Sequence, residues 1–355
     1  MEMKLKTSLL AAGTLAAAAA LLFFPAQSAA GAGKGVAYSL EILIPSLYPF
    51  MVLSVFVVKS GLSEKIGGAL EGLTQKLFRL PGSTAASVLM SVIGGFPAGA
   101  RSVETLYEQK LIDDRQAERM LFFGVNAGPS FIITAVGIGF LKSAQAGALL
   151  FCTQLIVFFL LGLISGAMGK KSTSPTSAKK SIGIGAAQAF IASAADGAAS
   201  TLNMCCFVIL FATLLNLLRV FVKDPLLSLL LSAFLEVTGG CSDLAKQGAP
   251  LWAVAFAIGW GGFCVHFQVF AFTEKIQYSK VRFLFFRLLQ GVLSAGVAFV
   301  LTTLFPQSVE TAGGMPGAVS AGFSGSAPAS AALLLLCFTL LFSLPRERVE
   351  FHGKK

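Results

Sequence analysis

The chain has 355 residues, 55% of them apolar and only 12% charged, with a mean hydropathy of +0.79; soluble domains are about one quarter charged. That balance excludes a secreted disulfide scaffold, a disordered chain and a two-domain cytosolic enzyme, and leaves a polytopic membrane protein. The net charge of +10 would suit nucleic acid, but the basic residues stand in short clusters between apolar runs, as membrane flanks do, so no nucleic-acid partner is expected.

A helix crosses about 30 Å of hydrocarbon with about 20 apolar residues. Taken in chain order, the runs that meet this length are 8–24, 36–58, 121–141, 144–168, 198–218, 251–272, 283–304 and 330–344. The first also has the form of a signal peptide, with Lys4 and Lys6 ahead of an Ala/Leu core, and is read as an uncleaved span. Two shorter stretches, 83–99 and 225–240, end in Gly-rich sequence and are read as re-entrant hairpins. The expected fold is therefore an all-α polytopic membrane protein with about eight transmembrane helices plus two re-entrant hairpins in an inverted-topology repeat. Its divisions are 1–35 (first span and outer loop), 36–169 (first repeat), 170–197 (basic cytoplasmic linker), 198–275 (second repeat) and 276–355 (two C-terminal spans and basic tail).

With both termini in the cytoplasm and both short stretches re-entrant, 21 of the 27 basic residues fall in cytoplasmic segments, as the positive-inside rule requires. Between the first hairpin and the next span, 100–120 is highly charged and reads as a cytoplasmic helix–turn–helix elbow, with Asp113 capping its second helix. The six cysteines match no zinc or disulfide spacing and read as buried apolar residues.

The halves echo each other. The first has Ile44–Phe50 (Ile-Pro-Ser-Leu-Tyr-Pro-Phe), then Ile93–Gly99 (Ile-Gly-Gly-Phe-Pro-Ala-Gly), then Phe123–Phe131 (Phe-Gly-Val-Asn-Ala-Gly-Pro-Ser-Phe). The second has a span with Asn203 and Asn216, then Glu236–Ser242 (Glu-Val-Thr-Gly-Gly-Cys-Ser), then Gly259–Gln268 (Gly-Trp-Gly-Gly-Phe-Cys-Val-His-Phe-Gln). Broken backbone at membrane depth survives only where protein or a cavity satisfies it, and inverted repeats place substrate near the midplane where broken helices meet. Ionisable groups in hydrocarbon are costly, which singles out Glu236 at a hairpin tip as a ligand for a cation or for substrate. His266 can move a proton or donate to an anion, and Arg101 can meet a carboxylate. Gly95, Gly99, Asn126, Ser130, Asn203, Thr238 and Gln268 complete the expected substrate site. No metal site is expected, and no catalytic constellation is present, so the chain is not read as an enzyme.

In order and wording, these motifs resemble the YlbJ-type sporulation integral membrane proteins, whose Gate or nucleoside-recognition domain also occurs in concentrative nucleoside transporters; the resemblance runs over about residues 36–275. It implies an endospore-forming bacterium, residence in the outer forespore membrane of the mother cell, and transport of a small anionic solute, dipicolinic acid foremost, by alternating access around the hairpins. It also implies a homo-oligomer and other sporulation membrane proteins as partners beside the lipid bilayer, with Na+ or H+ as the coupling ion and no other cofactor. A nucleoside transporter and a non-transporting spore-envelope assembly protein are the alternatives.

Overall fold

The computed structural model describes residues 2–62, 74–169 and 185–305, together with positions 65 and 72. The expected span 330–344, the basic tail and residues 170–184 of the linker lie outside the described residues. All regular structure among the described residues is helical. Helix α1 (Glu2–Phe23) turns by 96° at Phe24 into α2 (Pro25–Tyr38), whose first position holds a proline that has no N–H to leave unpaired. A π-helical turn, Ser39–Leu43, joins α2 to α3 (Ile44–Lys59). The expected outer loop before residue 36 is thus helix, because its small residues let it lie on a neighbour.

Beyond Pro81, α4 (Ala85–Ile93) and α5 (Phe96–Glu108) form the first hairpin. The break falls at Gly95, whose φ of 82° only glycine adopts without strain. The hydroxyls of Ser87 and Ser102 meet at 2.6 Å across the arms, so the arms are antiparallel, and the second runs well past the expected end at residue 99. Helix α6 (Asp114–Phe123) begins in a full capping box between Asp113 and Gln116, as expected of Asp113. Residues 124–128 then leave the helix, and a π-helical stretch, Ser130–Phe140, follows, so the expected span 121–141 is two pieces. Helix α7 (Ala144–Met168) is capped by Ser143, and α8 (Ala186–Phe221) is 36 residues long, beginning ahead of the expected residue 198.

In the second hairpin α9 (Pro225–Leu235) and α10 (Val237–Lys246) are separated by the extended Glu236 alone. Ser232 donates to Asp243 at 2.6 Å across these arms. Gly261 and Gly262, both at positive φ, break α11 (Leu251–Trp260) from α12 (Gly262–Phe272); α13 (Lys280–Leu304) closes the described chain. Among the described residues four segments are long and apolar enough to cross a membrane: Ala144–Met168, Ala186–Phe221, Leu251–Phe272 and Lys280–Leu304; the bent pair Ala11–Phe23 and Pro25–Leu43 makes a fifth.

Helices α2 and α3 run antiparallel to α8 along its length. Asn216 donates to the Gln27 carbonyl at 2.6 Å near one end, and the Phe56 and Phe190 rings meet at 6.3 Å near the other. Between them Gly31 and Gly35 bring α2 against the α8 backbone at Thr213 and Ile209. Apart from α1, the remaining helices pack on a phenylalanine core in which Phe122 and Phe286 stack at 4.0 Å.

Candidate functional site

Each broken element rests on another. The tip of the first hairpin packs on the break in the segment after α6, where a side chain at Gly128 would collide with the Ile93 carbonyl and with Gly95. The tip of the second packs on the break between α11 and α12, where a side chain at Gly262 would collide with Leu235 and Glu236. Four interruptions thus pair within their own halves. Phe96 against Gly261 joins the two halves.

Where the tips meet, a cavity of about 30 Å³ is enclosed by Gly95, Phe96, Gly128 and Phe131 from the first half and by Glu236, Val237, Thr238, Cys264, Val265 and Gln268 from the second. Leu43 and Leu47, with Met204 and Val208 of α8, supply its apolar wall. Pockets for organic ligands measure about 300–1,000 Å³, so the cavity as described is too small for an organic solute.

Glu236 is 1% exposed and is the N-cap of α10. Its carboxyl oxygens accept from the backbone N–H of Thr238 at 2.8 Å and of Gly239 at 2.5 Å, so the group lies at the positive end of that helix. The opposing helix, α5, starts at Gly95 with no side-chain cap. The cavity therefore has a carboxyl group at one tip and, at the other, a helix start with no side-chain cap among the described residues.

The structure brings Gly95, Glu236, Thr238 and Gln268 together and places the other expected residues elsewhere. Gly99 lies one turn behind Gly95, against the Gly124 backbone. Ser130 starts the π-helical stretch and is half-buried; Asn203 is half-buried on α8, beside Met204. Arg101 pairs with Glu104 and, at 3.8 Å, with Asp196, away from the tips. His266 is fully buried, its Nε2 2.9 Å from the Trp260 carbonyl and its ring edge-on to Trp260, Phe263 and Phe283. Trp260 in turn donates to the Phe234 carbonyl at 3.0 Å, so His266 braces the second tip from behind. Replacing His266 with Phe keeps the ring packing and orphans one carbonyl. The expected cost is about 1–3 kcal/mol of stability, read as a lower melting temperature in detergent with ligand affinity unchanged.

Asn126 belongs to a second buried network. It donates to the Phe123 carbonyl and accepts from Gln290 at 2.6 Å, beside Gln154 and Ser294. Arg287, also fully buried, donates to the carbonyls of Phe122 and Val125. These side chains satisfy the orphan carbonyls that α6 leaves at its end. The signal for this network in the sequence is Arg287 and Gln290, three residues apart on one face of an apolar helix.

At the end of the molecule that carries the elbow, Lys275 pairs with Glu108 at 2.6 Å, and that hydrogen bond holds the ammonium above its usual range.

Residues 40–144 match the family model described as Gate, nucleoside recognition. The chain is 27% identical over 339 residues to the sporulation integral membrane protein YlbJ of Bacillus subtilis (strain 168), an alignment covering 84% of this chain and 83% of that protein. No solved structure matches the chain. With the apolar helices, this similarity makes the chain an integral membrane protein and extends the resemblance read from its motifs over most of its length.

Proposed function

We propose that the chain is a membrane transporter of sporulation, carrying a small organic anion by alternating access around the two hairpin tips. The observation that carries this reading is the cavity itself: both tips reach it, from different repeats, with Met204 and Val208 of α8 beside it. The printed name of the relative supports the sporulation setting, and the nucleoside-recognition model supports a solute site within the first repeat. The uncapped start of α5 favours an anionic group at the first tip, and Glu236 favours a coupling cation, Na+ or H+, at the second. Dipicolinic acid, moved across the outer forespore membrane of the mother cell, is the leading solute, and a homo-oligomer the leading assembly. Re-entry of the hairpins into the bilayer from opposite faces, around about eight spans, is part of the same proposal.

The test is flux into proteoliposomes holding the purified chain, with dipicolinate or uridine outside and with or without Na+ and proton gradients. Dipicolinate uptake that a gradient stimulates is the expected result. Uridine uptake without dipicolinate uptake would make the chain a nucleoside transporter, and movement of neither solute would remove the transport reading in favour of an assembly role.

A further inference from the structure

The two hairpins leave the cavity in opposite directions along α8. The first runs from Gly95 at the cavity to Arg101, whose guanidinium approaches Asp196 near the start of α8 at 3.8 Å; Lys59 at the end of α3 holds the same carboxylate oxygen at 2.7 Å. The second runs from Glu236 at the cavity to Asp243, which pairs with Arg219 near the end of α8 and accepts from Ser232 on its own hairpin. Asp196 and Arg219 are 23 positions apart on one helix, about 35 Å at 1.5 Å per residue. That is close to the thickness of the hydrocarbon core, about 30 Å. Met204 and Val208, which line the cavity, fall between them. One helix therefore carries an ion pair to one hairpin at each end and the cavity near its middle.

The two pairs share further features. In each, the partner on the hairpin lies six or seven residues beyond the tip, on the second arm. In each, the Nε of the arginine is buried with no acceptor among the described residues, where the guanidinium is held by its terminal nitrogens. The side chains of Lys59, Arg101, Asp196, Arg219 and Asp243 keep between 23% and 34% of their surface exposed. Ion pairs in such surroundings contribute little net stability. They open readily, and what they set is the position of one element against another.

We propose that these pairs are the two latches of the transport path, Asp196 with Arg101 and Lys59 closing one side and Arg219 with Asp243 closing the other. This rests on the transport reading and says how its site is closed. Parting a tip from α8 to admit a solute requires the pair on that hairpin to break, while the pair on the other hairpin keeps the far side shut.

Cys264 lines the cavity and is 1% exposed, which makes it a native reporter of opening. The experiment uses the full chain with the other cysteines (Cys152, Cys205, Cys206, Cys241 and Cys337) replaced by Ala, reconstituted in sealed vesicles and treated from either side with a membrane-impermeant thiosulfonate. Asp196→Asn and Asp243→Asn are expected to raise Cys264 labelling from opposite sides, each by roughly fivefold, about what a pair of this exposure can bias. The double variant Arg219→Asp with Asp243→Arg is expected to return labelling to the parent level, which also shows that the single change had not simply unfolded the hairpin. If both single variants label like the parent while the parent carries solute, or if both open the same side, the latches are wrong and the transport reading stands. If no variant labels from either side and the parent carries no solute, the transport reading fails and the latches fail with it.

Discussion

Glu236→Ala is expected to stop solute flux and to lower the stability of the chain by about 3 kcal/mol. The stability figure follows from two losses at one buried place. An N-cap substitution by Ala costs about 0.5–2 kcal/mol, and a buried donor left without an acceptor costs about 1–3 kcal/mol. Here the N–H groups of Thr238 and Gly239 both lose the carboxylate oxygens they reach at 2.8 and 2.5 Å. Water entering the enlarged cavity satisfies part of that debt, which keeps the sum below the arithmetic maximum. Flux falls further than stability because the residue that caps α10 also lines the cavity. Glu236→Gln is the discriminating variant: its amide keeps one oxygen acceptor and gives up the charge, so it should hold most of the melting temperature. Flux that survives in Glu236→Gln and is lost in Glu236→Ala makes Glu236 a cap whose charge is dispensable; loss in both makes the charge necessary. A Glu236→Ala protein that melts and transports like the parent would remove Glu236 from the site.

Arg287→Ala is expected to destabilise the chain by a similar amount, about 3 kcal/mol or more, with flux falling only as far as the folded fraction does. Its guanidinium is fully buried and bonds the carbonyls of Phe122 and Val125, with no acidic side chain against it among the described residues. A cation at a helix C-terminus is favourable, by up to about 2 kcal/mol in buried geometry, and each orphaned carbonyl adds to the loss. Opposing this is the cost of burying the charge at all, several kcal/mol per ion. The two effects separate in Arg287→Met, which keeps most of the volume and removes the charge. A melting temperature well below that of the parent shows that capping the broken end of α6 outweighs desolvation, and an equal or higher one shows the reverse. Arg287→Lys reaches one carbonyl and should fall between parent and Ala.

The features legible in the sequence were the ones that break a local rule. Gly-Gly-Phe-Pro and Gly-Pro inside apolar runs mark the two interruptions of the first half, and Gly261-Gly262 marks one of the second, whereas the break at Glu236 falls ahead of Gly239 and Gly240, which lie inside α10. Asp113 caps its helix because its side chain and that of Gln116 act over three residues, a range sequence exposes directly. The partner across the fold was hidden. Residues 25–35 read as a loop from their Ala, Gly and Ser content, and are helical because Gly31 and Gly35 fit against α8. The start of α8 read as linker because its alanines, strong helix formers, carry little hydropathy. His266 reads as a site residue from the sequence and lies behind the second tip, against Trp260, Phe263 and Phe283: composition says that a polar group is buried, and only packing says what it is buried against.

The length of α8 also bears on how the chain sits in lipid. Thirty-six residues make a rod of about 54 Å, nearly twice the hydrocarbon thickness, and tilts seldom exceed about 40°, so part of it must stand clear of the acyl chains. Arg219 is almost at one terminus, whereas Asp196 lies about 15 Å inside the other. With Asp196 and Arg219 at the two faces of the hydrocarbon, the surplus lies at the Ala186 end, where Phe190 and Ile191 are exposed. A helix with its overhang on one side has one depth at which both charged positions escape the acyl region, and a thicker bilayer takes that depth away. Flux should accordingly fall as vesicle lipids are lengthened from about 16 to about 22 carbons per chain, an effect of hydrophobic mismatch measurable with the parent sequence alone.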